Sequence, residues 1–86
     1  MSELELIAES GNCALALRQS RKFPGLLIQG DTLYSLSRVA VELLGELESG
    51  DVEEGKFSAM EIKETLDEFV AVYERLMRED GRPLPY

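Results

Sequence analysis

Along the first part of the chain apolar residues recur at every second position. From Glu3 to Glu9, Leu4, Leu6 and Ala8 alternate with Glu3, Glu5 and Glu9, and only Ile7 breaks the rhythm. The segment reads as a half-buried strand whose inner face is Leu4, Leu6 and Ala8. Ser10-Gly11-Asn12 supplies turn chemistry, after which Cys13, Leu15 and Leu17 alternate with Ala14, Ala16 and Arg18, so the two runs predict a hairpin. Pro24 cannot donate to a ladder and holds Phe23 extended, which bends the chain ahead of Leu26-Leu27-Ile28, a short third strand.

The spacing then changes to three and four. Leu33, Leu36, Val39, Ala40, Leu43, Leu44 and Leu47 form one stripe and predict a helix over residues 32–48. Asp31 or Thr32 is placed to cap it, Gly25 and Gly30 supply backbone angles that other residues avoid, and Ser49-Gly50 is the stop. Residues 51–57 are polar, with two apolar positions, and read as a loop or a poor strand. Ser58-Ala59-Met60-Glu61 matches a capping box and predicts a second helix over residues 59–80. Its heptad-like seam of Ile62, Leu66, Phe69, Tyr73 and Leu76 packs on the hairpin or the first helix, or else joins two copies in a homodimer. Residues 81–86 are a tail. The expected architecture is a single α+β domain over 1–86, a small antiparallel sheet of two or three strands with two helices packed on one face.

Size and charge narrow the functional classes. A chain of 86 residues buries a small core, which a partner or a second copy could extend. Nine basic against seventeen acidic residues give a net charge of −8, which repels nucleic-acid phosphate and anionic lipid and suits a basic protein. Ten of the acidic residues fall between Glu42 and Glu68, opposed only by Lys56 and Lys63. The candidate partner surface is therefore Asp51, Glu53 and Glu54 in the connection with Glu61, Glu64 and Glu68 on the outer face of the second helix; Tyr34 and Val41 are the alternative contact.

Candidate chemistry is sparse. Without histidine, and with Cys13 as the lone cysteine, there is no nucleophile–base pair, no disulfide and no nitrogen–sulfur metal site. Cys13 is expected in the core, and neither catalysis nor a metal or cofactor is expected. The Gly25 to Gly30 spacing lacks the Lys-Ser/Thr of a phosphate loop. The acidic first residues are unlike a signal peptide, and no apolar run approaches the roughly 20 residues that span a bilayer, so the expected compartment is the cytosol.

The stretch PGLLIQGDTL, Pro24 to Leu33, resembles the Pro-Gly-x-x-x-Gln-Gly-Asp-Ser/Thr motif of HicB-type antitoxins and their stand-alone relatives. The matching positions are Pro24, Gly25, Gln29, Gly30, Asp31 and Thr32. A similar pattern, Arg-x-Phe-Pro-Gly followed by Gln-Gly-Asp, occurs in a small uncharacterised bacterial family and is matched by Arg21, Phe23 to Gly25 and Gln29 to Asp31. The antitoxin resemblance implies a strand-to-helix turn at the motif and a fourth strand between the helices, which would fall on residues 51–57. The DNA-binding module of full-length members is not expected in so short and acidic a chain. The resulting expectation is a non-catalytic acidic binding protein, antitoxin or immunity-like, that occludes a basic toxin or nuclease; the alternative is a structural or regulatory homodimer without a toxin.

Overall fold

The computed structural model describes residues 4–86, so the expectation for Glu3 lies outside the described residues. The fold is α+β, with a three-stranded antiparallel sheet and two helices in the order β1 (Leu4–Ser10), β2 (Cys13–Arg18), β3 (Gly25–Leu27), α1 (Gly30–Glu48) and α2 (Val52–Glu79). It is organised as two compact units. One joins residues 4–29 with Phe69–Tyr86, and the other is Gly30–Glu68.

In the first unit β2 is the central strand, paired antiparallel with both neighbours. Gly11, at φ +58°, opens the two-residue hairpin turn between β1 and β2, the conformation that glycine at the first central position of a type II′ turn permits. Leu6 stands opposite Ala16 but Ala8 stands opposite Leu15, so Ile7 is an extra residue bulged out of the ladder. The bulge reverses the alternation. Ile7 and Ala8 pack on the core, whereas Leu4 and Leu6 are about half exposed; the expected inner face of Leu4, Leu6 and Ala8 is corrected accordingly. Leu15, Leu76 and Met77 are fully buried at the centre, ringed by Phe23, Val72, Tyr73 and Leu84. Burying each of the three stabilises the fold by roughly 1.5–3 kcal/mol. The tail is tied to this unit: Leu84 packs on the core, and the Tyr86 hydroxyl donates to Glu74 at 3.0 Å.

The second unit is a helical hairpin. Helix α1 starts at Gly30, two residues earlier than expected, so Asp31 and Thr32 lie inside its first turn and the cap expected at one of them is corrected: the Asp31 carboxylate accepts only the N–H of its neighbour Thr32, at 2.9 Å. Neither Gly25 nor Gly30 has a positive φ, so the special angles expected there are not used. Gly50 does, at +83°, and ends α1. The Gly50 N–H donates to Leu47 O and the Asp51 N–H to Glu46 O, the paired bonds of a Schellman motif.

Asp51 then turns at once to the next helix, accepting the Glu54 N–H on Oδ1 at 3.2 Å. Helix α2 therefore begins at Val52 rather than at residue 59, and residues 52–57, expected as a loop or strand, are helical. Ser58 is no cap: it is buried within α2, and its hydroxyl donates to Glu46 Oε1 at 2.6 Å across the hairpin. Helix α2 ends as α1 does, with Gly81 at φ +70° and the N–H groups of Gly81 and Arg82 donating to Arg78 O and Met77 O.

Candidate functional site

Extending α2 back to Val52 changes the geometry of the acidic cluster. Glu53, Glu54, Glu61, Glu64 and Glu68 all belong to one helix, and Glu54, Glu61 and Glu68 recur every seven residues, close to two full turns. All five are exposed. Asp51 sits apart from them in role, since its carboxylate is engaged as the α2 cap. The surface of α2 that meets α1 is different: Gly55, Ser58, Ile62 and Thr65 are the buried and half-buried positions, and a Cβ on Gly55 would lie 3.0 Å from the Leu47 side chain. Glu54, Glu61 and Glu68 thus form a stripe beside the helix–helix contact, with Glu53 and Glu64 on its outer side. Glu61 reaches its edge, lining a depression of about 100 Å³ with Thr32, Ser35, Leu36, Val39 and Thr65.

Charge is divided sharply between the units. The hairpin Gly30–Glu68 holds eleven acidic and three basic residues, while the remaining sequence holds six of each. The net charge of the whole chain therefore resides in the helical hairpin. One of its three cations is already engaged, because Lys63 Nζ lies 2.6 Å from Asp67 Oδ2. That hydrogen bond, helped by the Asp67 charge, holds the lysine above its ordinary value of 10.5. Arg38 lies over the Tyr34 ring, 5.2 Å from its centre. Both Tyr34 and Val41, the alternative contact residues, are exposed on α1.

The motif residues land on the path from sheet to helix. Pro24 is buried and its carbonyl accepts the Tyr73 hydroxyl at 2.6 Å; Gly25 opens β3 opposite Ala16; Gln29 closes the first unit, and Gly30, Asp31 and Thr32 form the first turn of α1. None of the six contributes to the acidic stripe. Pattern reasoning also missed a depression of about 400 Å³ on the first unit, lined by Leu4, Ala16, Arg18, Arg21, Phe23 and Leu27 among others. Of β1 only Leu4 lines it, a residue that the Ile7 bulge sets out of register with Ala8, and the bulge is present in the sequence only as one residue out of rhythm.

Among the described residues no three His, Cys, Asp or Glu side chains gather where they could hold a metal ion, and every buried side-chain nitrogen or oxygen has a hydrogen-bond partner. Cys13 is a free thiol, half-buried at the start of β2. Among the described residues no helix is long and apolar enough to cross a membrane. What the arrangement offers is a surface, a fixed row of carboxylates on a rigid helix suited to meeting cations. No curated protein and no solved structure matches the chain. Its sequence matches, over residues 1–86, the family of unknown function DUF6959, and the chain belongs to that family.

Proposed function

We propose that the protein is a non-catalytic binding protein, acting in the cytosol, that neutralises a basic toxin or nuclease by covering its active site with the glutamate stripe of α2. The observation that carries this reading is the confinement of the whole charge of −8 to the helical hairpin, with five glutamates on one helix. Such a row steers a cationic partner and raises its association rate, an effect that salt screens. The resemblance of Pro24–Thr32 to the antitoxin motif supports the same class of function.

The test begins with capture of the partner from the native cell and measures its association with wild type and with the Glu54→Lys/Glu61→Lys/Glu68→Lys variant between about 0.01 and about 1 M salt. The expected partner is basic, loses its own activity at one equivalent of wild type, and binds the triple variant more slowly at low salt but alike at high salt. Equal rates at low salt, or a bound partner whose activity continues, would sink the reading. Circular dichroism of the variant serves as the folding control, since all three side chains are exposed.

A further inference from the structure

We propose that the protein is a homodimer in which two helical hairpins close on each other through a second, apolar face. Helix α1 is amphipathic and nineteen residues long, yet none of its residues is buried. Its half-buried positions Thr32, Leu36, Val39, Leu43 and Glu46 belong to the contact with α2, and beside them a second row is left over. On α1 this row is Leu33, Leu44 and Leu47; on α2 it is Val52, Ala59 and Leu66, recurring every seven residues. The five large members are 47% exposed at Leu66 to 60% at Val52. The rows lie on the same side of the hairpin. Leu47 approaches the Cβ position of Gly55, and Leu43 of α1 shares a groove of about 370 Å³ with Ala59, Ile62 and Leu66 of α2.

Three features select a second copy of this chain as the occupant. The face carries both halves of a packing: leucines that protrude, and a groove floored by the small Ala59 into which a leucine fits, as knobs enter holes in a four-helix bundle. Its charges are balanced, because the Lys63 and Asp67 that border the groove already neutralise each other as an ion pair, so a two-fold axis can close two copies here without setting net charge against like charge. The repulsive charge points elsewhere. Glu54, Glu61 and Glu68 each follow a member of the apolar row by two residues, about 160° around the helix, so two copies can join without bringing the stripes together. A basic protein would be drawn to the stripe, not to this neutral face, and the dimer does not depend on the stripe having a partner.

Sedimentation equilibrium of the full chain from about 1 µM to about 1 mM tests this. A dimer is expected, with Leu44→Lys and Leu66→Lys each weakening its dissociation constant by about tenfold or more, and with Leu6→Lys on the sheet and Glu61→Lys on the stripe leaving it unchanged. Should the lysine variants lose helicity, hydrogen exchange of wild type at the two ends of the concentration range decides: protection gained in segments 33–47 and 52–66, and not in strands 4–27, supports the hairpin interface. A monomer at every concentration, a dimer indifferent to Leu44→Lys and Leu66→Lys, or protection gained in the strands instead would overturn it.

Discussion

Tyr73 shows how one side chain can fix a loop. Its hydroxyl donates to the carbonyl of Pro24, forty-nine residues earlier in the chain, while its ring packs on the Leu15–Leu76–Met77 core. Burial holds the phenol above its ordinary value of 10.0. The protonated form is thus favoured in the folded state, so the stabilisation is fully present below pH 10 and fades as pH rises through the raised value. Tyr73→Phe should cost roughly 0.5–1.5 kcal/mol at neutral pH and shrink the loss of stability above pH 10. Urea unfolding at pH 7 and in the alkaline range checks both; an unchanged midpoint at pH 7 would mean that the bond contributes nothing. The apolar role of Tyr73 was legible from its place in the helical period. Its hydrogen bond was not, because no local pattern connects a helix residue to a carbonyl so far away in sequence.

At the scale of elements, the legible and illegible parts separate by how far the deciding contact lies. The hairpin, both amphipathic helices and their glycine stops could be read because each rests on local spacing or on a positive φ that glycine supplies, as at Gly11, Gly50 and Gly81. The start of α2 could not. Gly55 and a run of charges disguise residues 52–57 as a loop, and the reason that they are helical is tertiary: Gly55 lets α2 approach Leu47 and Leu43. Ser58 and Glu61 imitate a capping box in the middle of a helix, where the serine hydroxyl instead serves Glu46. Asp51→Ala should cost about 1 kcal/mol through loss of the true cap. Ser58→Ala should cost about as much or more, by removing a part-buried bond to a charged acceptor, but without fraying α2 from its first turn. Amide exchange of residues 52–55 tells them apart: it should quicken in Asp51→Ala and not in Ser58→Ala.

For the molecule as a whole, the division of charge governs behaviour in solution. The sequence revealed an acidic stretch from Glu42 to Glu68, but only the folded chain shows that this stretch falls within one compact unit, Gly30–Glu68, and that the rest is neutral. The candidate glutamates could be listed from sequence because charge is a local property. Their alignment depended on the helical state of residues 52–57 and was hidden with it. Repulsion inside the hairpin should make added salt stabilising: the unfolding temperature should rise between about 0.01 and about 0.1 M salt and level off once the Debye length falls to roughly 10 Å. A midpoint that does not move over that range would show that the eleven acidic residues are already offset within the fold.

The corner between α1 and α2 has one more consequence, for the lengths this chain can tolerate. Asp51 belongs to both helix ends, closing α1 through its N–H and opening α2 through its carboxylate, with Gly50 bent beside it. No residue there is spare. An insertion elsewhere in a surface turn costs a little closure entropy and leaves the flanking elements as they were. One extra residue between Gly50 and Val52 would separate the two duties of Asp51, and a deletion would remove one of them, so either change shifts the phase of α2 against α1 by about 100° and turns Ser58 and Ile62 away from their contacts. Relatives that keep this hairpin should therefore keep the number of residues across the corner fixed, together with a glycine at position 50 and a capping side chain at position 51.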